Sequence, residues 1–319
     1  MHNSLYDLKA FGNKVYDLRT MSKMTQSDIR KKTGIHEQTL RRIEYGETFP
    51  SLETIEKISS AMGYNLVEIL STVRAADYDQ LKAIYDELDH ISVTDETKDI
   101  PDLIQKIDDY QTHNHIYDDI FNKKKDQLRT LCRITELTQK NDAMSVTNTE
   151  MLCIMALALS HPNFNPSRLK DYYFTPFESR ILLTLGFCYH RQDKDKLAMK
   201  TIDYSVENIR LHLKINPSLS DLMVHALLAQ SYLYFVLNDL DKAIDICTEG
   251  IQYAKDNYSM KLLPHLYCRR GVARYKLDQA DYQDDLRLGL TGFKLNGMED
   301  LAKKYEDILL NRYKIVLDQ

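Results

Sequence analysis

The stretch Met24 to Glu44, MTQSDIRKKTGIHEQTLRRIE, constrains this chain more than any other. Thr25 can accept from the backbone two or three residues on, and Asp28 completes an S/T-x-x-acid start, so a helix begins here and runs to about Thr33. Gly34 supplies the positive φ that a tight turn requires. His36 or Glu37 opens the next helix, Leu40 and Ile43 point inward, and Gly46 stops it. Upstream, Leu5, Leu8, Gly12, Val15, Leu18 and Met21 recur at three- and four-residue steps, so a preceding helix buries one face. Downstream, a helix starting at Ser51 after Pro50 buries Leu52, Ile55, Ile58 and Met62 and ends at Gly63, and Asn65 caps a last short helix through Leu70.

The whole chain is too long for one comfortable core. At 319 residues it suits two domains, or a small domain followed by a repeat array. Hydrophobic residues at 43% and charged residues at 28% indicate a globular protein, and only 10 Gly and 7 Pro favour long helices over a turn-rich β fold. Cys132, Cys153, Cys188, Cys247 and Cys268 form no ligand pattern and read as small buried residues in a reducing compartment. The N-terminus lacks the features of a signal peptide. The longest near-apolar run, Met151 to Ser160, is about half a membrane span, so the expected protein is soluble and cytoplasmic.

Charge is unevenly placed. The net charge is −5, yet residues 1–74 hold 11 Lys and Arg against 9 Asp and Glu, leaving 31 against 38 for the remainder. Within Arg19 to Ile43 the balance is 7 positive to 2 negative, which concentrates basic charge on the helix-turn-helix stretch.

T-Q at the second helix, G-I in the turn, I-E-x-G after the third and P-S-L-E-T-I opening the fourth closely resemble the repressor/Cro-type helix-turn-helix family. The resemblance implies five helices in which the third enters the major groove. Carried over by position, it makes His36, Glu37, Gln38 and Arg41 the groove-facing set. Gln can pair with adenine, Arg with guanine, and a carboxylate can accept from cytosine N4. Gln26 matches the family glutamine that touches backbone and braces the reading helix. Lys23, Arg30, Lys31, Lys32 and Arg42 are candidate phosphate contacts, or simply solvated surface charge. Arg19 and Glu44 stand where similar domains carry a partly buried ion pair. Arg30 departs from the family's usual small alanine, so either the crossing there is wider or its stem lies across it with its head in water.

The second part of the chain is repetitive. LGFCYHRQDKDKLAM at Leu185 to Met199 has the Leu-Gly, Tyr and Ala of a tetratricopeptide helix pair, with Gly186 and Ala198 twelve apart. SYLYFVLNDLDKAI repeats the scheme with Ser231 and Ala243, and a third copy carries Gly271 but has Gln283 in place of the second small residue. Offsets between copies of 45 and 40 exceed the usual 34, which predicts longer helices. Helices are also expected to start at Ile100-Pro101, Asn165-Pro166 and Thr175-Pro176. The run Lys123 to Lys125 reads as solvent-facing.

A repressor-like domain followed by long tetratricopeptide-like repeats resembles the Rgg/PlcR group of peptide-pheromone-responsive transcription regulators of Gram-positive bacteria. The resemblance implies an all-α chain: a DNA-binding domain over residues 1–72, a linker at 73–80, and over 81–319 a right-handed superhelix of helical hairpins for peptide sensing and dimerisation. It implies double-stranded DNA with two half-sites, a short signalling peptide and a second copy of the chain as partners. In tetratricopeptide pairs the first helix lines the groove. Its outward positions map to Arg180, Phe187, His190, His225, Tyr232, Phe235, His265, Arg269 and Tyr275, a mix that suits an extended peptide needing apolar pockets and a partner for its carboxylate.

Enzyme readings find little support. HEQTL lacks the second His of a zinc hydrolase, and no P-loop, GxSxG or GxGxxG occurs. His113 and His115, near Asp118 and Asp119, read as a polar loop more readily than a metal site. The expectation is therefore a non-enzymatic regulator without cofactor, metal or membrane span. Its alternatives are a prophage or mobile-element repressor that uses the helical domain only to dimerise, and a repeat-based protein-binding adaptor.

Overall fold

The computed structural model describes residues 6–73, 83–88, 91, 99–109, 119–138 and 142–317, and no strand occurs among them. The expected linker at 73–80 falls almost entirely outside the described residues, as do His113 and His115. Two compact units are present, one within Met1–Glu87 and Asp108–Asp118, the other within Leu88–Ile107 and Asp119–Gln319.

The first unit holds α1 (Leu8–Met21), α2 (Gln26–Thr33), α3 (Glu37–Glu44), α4 (Leu52–Met62) and α5 (Leu66–Ser71). Each start is capped as the side chains require. Thr25 and Asp28 form a reciprocal capping box, Ser51 accepts from Thr54 N, and Asn65 from Glu68 N. The inward faces of the helices pool Phe11, Val15, Ile29, Leu40, Ile43, Ile55, Ile58 and Leu66 into one core. A hydrogen bond of 2.8 Å from Asp7 N to the Val73 carbonyl ties the two ends of the unit together. Two expected core positions are instead exposed. Met21 is 70% exposed at the last residue of α1, and Leu52 is 61% exposed at the first residue of α4, each one turn beyond the edge of the core.

The second unit contains all but the last two residues of α6 (Ile100–Asp109), and α7 (Asp119–Thr138), α8 (Ala143–Ala158), α9 (Pro176–His190), α10 (Asp195–Leu213), α11 (Ser220–Val236), α12 (Leu240–Asp256), α13 (Leu263–Lys276), α14 (Tyr282–Leu295) and α15 (Glu299–Tyr313). From α7 onward each helix packs on the next, and α11 also touches α9 and α13. The hairpins α9/α10, α11/α12 and α13/α14 are therefore stacked, with their first helices side by side. Small residues set the spacing. A methyl group on Gly186 would meet Ile202 Cγ1 at 2.5 Å, and one on Gly271 would meet Leu286 at 2.8 Å and the Tyr282 carbonyl at 3.0 Å.

Two further expectations fail. Asn165-Pro166 opens only a 3-10 turn, Pro166–Asp171, broken by non-helical angles at Arg168. Lys125 is buried, because it stands on the same face of α7 as Leu128 and Cys132, and its aliphatic stem continues that apolar stripe. The five cysteines are buried and take part in no disulfide.

Candidate DNA-reading face and ligand cavity

Helix α3 presents two faces. Leu40, Ile43 and Glu44 are buried, while Gln38, Thr39, Arg41 and Arg42 are exposed and Glu37 is partly so. Its start is fixed by His36, whose Nδ1 accepts from Gln38 N at 3.3 Å, so the ring caps the helix at the edge of its exposed face. Its end is fixed by charge. Arg19 Nε and Nη2 donate to the two Glu44 carboxylate oxygens at 2.5 and 3.1 Å, and Nη1 donates to the Met24 carbonyl at 2.8 Å. Gln26 Nε2 donates to Glu44 Oε2 at 2.8 Å. One carboxylate thus holds α1, the start of α2 and α3 in register.

Gly12 lets α1 and α3 approach closely, since a methyl group there would press on the Ile43 and Glu44 carbonyl oxygens. The basic residues around α3 are exposed and loosely held. Arg30 Nη1 is 3.7 Å from Glu37 with its head in solvent, Arg42 is 3.8 Å from Glu47, Lys31 is 4.0 Å from Asp28, and Lys32 Nζ lies 3.4 Å from the Ala61 carbonyl. Lys23 is exposed in the turn between α1 and α2 at φ 53°. The Thr25 hydroxyl and backbone, with Lys31 and Lys32 nearby, hold the Asp28 carboxyl below its usual range despite slight desolvation.

A shallow concavity of about 440 Å³ flanks this face, lined by Asn13, Tyr16, Gln26, Arg41, Glu44 and Tyr45. Sequence reasoning missed Asn13, Tyr16 and Tyr45. Tyr45 was the most findable, because it stands four residues after Arg41, whose guanidinium lies 5.5 Å from its ring centre.

In the repeat unit a cavity of about 700 Å³ opens among α7, α8, α9 and α11. Five of the nine expected groove residues line it: Arg180, Phe187, His190, His225 and Tyr232. Arg180 is only 4% exposed, His190 Nδ1 is 2.7 Å from Asp195 Oδ1, and the Phe187 and Tyr232 rings meet edge to face at 5.5 Å. Leu131, Ile134 and Val146 give an apolar wall, and Thr135, Thr149 and Thr184 give hydroxyls. That wall comes from α7 and α8, where no repeat signature marked it.

The walls are braced by buried polar groups. Glu178 caps its own helix by accepting from Thr175 N and Oγ1, and its other oxygen accepts from Gln127 Nε2 at 3.0 Å. Gln127 also donates to the Ala156 carbonyl and to Ser160 Oγ, joining α7, α8 and α9. Burial pushes the Glu178 carboxyl up, but donors from Thr175, Ser160 and Gln127 outweigh it and hold the group below its usual range.

The other four expected residues lie outside the cavity. Arg269 lies 4.8 Å over the Tyr232 ring and donates to the Leu228 carbonyl. Phe235 and Tyr275 pack against Val272, Leu286 and Leu309, with Lys276 Nζ 4.9 Å from the Phe235 ring centre. His265 lies edge to face on Phe293 at 4.7 Å and against Tyr305. Burial, then the charges of Arg269 and His225, pull its pKa down to about 3.

Residues 15–69 match the helix-turn-helix family. Over 57 residues the chain is 37% identical to an uncharacterised helix-turn-helix transcriptional regulator of Methanocaldococcus jannaschii, a match covering 18% of this chain and 86% of that protein. Over 73 residues it is 29% identical to the cryptic phage CTXphi transcriptional repressor RstR of Vibrio cholerae, covering 23% of this chain and 66% of the repressor. Whole-chain likeness comes from solved structures. Bacillus thuringiensis PlcR, solved with the peptide PapR7 and DNA, superposes with a TM-score of 0.68 at 14% identity, covering 93% of this chain and 99% of PlcR. ComR of S. thermophilus, solved with DNA and its signalling peptide ComS, gives a TM-score of 0.58 at 14% identity, covering 93% and 97%. The fold of this chain is therefore that of these two structures, with a helix-turn-helix domain followed by helical repeats.

Proposed function

This chain belongs to the helix-turn-helix transcriptional regulators, and we propose that it binds operator DNA under the control of a short peptide held by its repeat unit. The observation that carries the reading is the cavity of about 700 Å³ among α7, α8, α9 and α11, in a fold shared with proteins solved with both peptide and DNA. Its size and its apolar wall with a few polar groups suit a peptide side-chain cluster. Gln38, Arg41 and Glu37 read base edges from α3, while Gln26, Lys23, Arg30, Lys31, Lys32 and Arg42 hold phosphates. His36 contributes chiefly by capping the reading helix. Two copies of the chain present two such helices to two half-sites, and peptide binding changes their relative placement.

The phage repressor match spans 73 residues, 23% of this chain, and supports regulation of DNA. The test is binding of full-length protein to its upstream DNA with and without synthetic candidate peptides. Replacing Arg41 or Glu37 with Ala is expected to relax base choice by about 1–3 kcal/mol at the base each contacts. Unchanged selectivity in both variants would remove α3 as the reader. DNA binding that no peptide alters would leave the helical domain a dimerisation element.

A further inference from the structure

We propose that Cys153 and Cys188 are a peroxide-reactive thiol pair, in which Cys188 is oxidised from the cavity side and Cys153 then closes a reversible disulfide between α8 and α9. The two residues stand on helices that pack against each other, and the Cys153 thiol donates to Cys188 Sγ. Their surroundings differ. Cys188 lines the cavity of about 700 Å³ together with Arg191, whereas Cys153 is wholly buried and does not reach the lining. A molecule as small as hydrogen peroxide can therefore meet one sulfur and not the other.

The same asymmetry decides which sulfur gives up its proton. The hydrogen bond from Cys153 draws the Cys188 thiol below its ordinary range despite burial and the Glu150 carboxylate, and the Arg191 charge adds to the effect. Burial, then that hydrogen bond, holds the Cys153 thiol well above the range. Burial also pushes up the Cys247 and Cys268 thiols, Cys268 to about 12, and neither lines the cavity. The Cys188 thiolate attacks one peroxide oxygen and breaks the O–O bond, leaving Cys188 as a sulfenic acid. The departing hydroxide takes up the proton lost from Cys188 and leaves as water. Cys153 sulfur then attacks the Cys188 sulfur, and the sulfenic oxygen leaves with the Cys153 proton as a second water. Two thiols thus supply the two electrons that reduce one peroxide. A dithiol reopens the bond by thiol–disulfide exchange, so the modification is reversible. While closed, it fastens two of the four helices around the cavity.

Full-length protein should be treated with hydrogen peroxide, blocked with N-ethylmaleimide under denaturing conditions, digested and mapped by mass spectrometry. The expected result is loss of two thiols, recovered as a peptide pair joined through Cys153 and Cys188 that dithiothreitol separates, with Cys132, Cys247 and Cys268 alkylated. Cys153→Ser should stop the reaction at a Cys188 sulfenic acid that dimedone traps. Cys188→Ser should leave the Cys153 thiol intact, and its oxidation there at the wild-type rate overturns the order of attack. If neither variant folds, the map of the wild-type protein carries the test. Recovery of all five thiols alkylated, or a bond from either residue to another cysteine or to a second copy of the chain, overturns the proposal.

Discussion

At the scale of single residues the strongest constraint is Glu44. Its carboxylate is almost wholly buried and accepts from Arg19 and Gln26, so removing one charge strands the other away from water. Arg19→Met or Glu44→Leu alone should destabilise the first unit by about 3–5 kcal/mol, while the double replacement should recover most of that loss. Urea unfolding of the three variants checks this, and single changes costing under about 1 kcal/mol would show that the pair is solvated. His265 gives a residue-level dependence on pH. Its folded pKa of about 3 lies below the ordinary 6.5, so its contribution is complete above pH 6.5. As pH falls from 6.5 towards 3 the unfolded chain takes a proton that the folded chain refuses. Stability should decline by at most about 1.4 kcal/mol per pH unit from this group. His265→Gln should flatten the change in urea midpoint between about pH 7 and pH 5. An identical slope in the variant would place the loss elsewhere.

At the scale of elements, two glycines test what positions α3, the proposed reading helix. Gly34 has φ +74° and open space where a methyl group would go, so Gly34→Ala meets only the left-handed backbone cost, about 1–2 kcal/mol. Gly12 lies in ordinary helix but faces the Ile43 and Glu44 carbonyls, so Gly12→Ala must push α1 and α3 apart. Both variants should lose stability. Only Gly12→Ala should also weaken operator binding beyond its effect on folding, measured on samples confirmed folded by circular dichroism. Equal operator affinity in the two folded variants would mean that the α1/α3 spacing does not set the reading pose. The starts of α2, α4, α5 and α9 were legible because Thr25, Ser51, Asn65 and Thr175 cap through their own side chains. The Asn165-Pro166 start was not, since a cap and a proline permit a helical turn without requiring the next one.

At the scale of the whole molecule the prediction concerns linkage. If peptide and DNA bias the same change in arrangement, then whatever factor the peptide applies to operator affinity, the operator must apply to peptide affinity. Titrating a labelled peptide that binds, with and without saturating operator, should yield that same factor. Peptide affinity untouched by DNA, where DNA affinity responds to peptide, would contradict a single coupled equilibrium.

What this sequence determined by itself was local and periodic: caps, turn glycines, the inward faces of the amphipathic helices and the twelve-residue spacing of Gly186 with Ala198. Those depend on backbone geometry and on neighbours three or four residues away, so a linear chain carries them. Tertiary structure alone decided that Leu131, Ile134 and Val146 wall the cavity that Arg180 lines, and that Gln26 joins Arg19 on the Glu44 carboxylate. Each of those contacts joins residues far apart in the chain, and its burial depends on how whole helices pack rather than on any spacing within one of them.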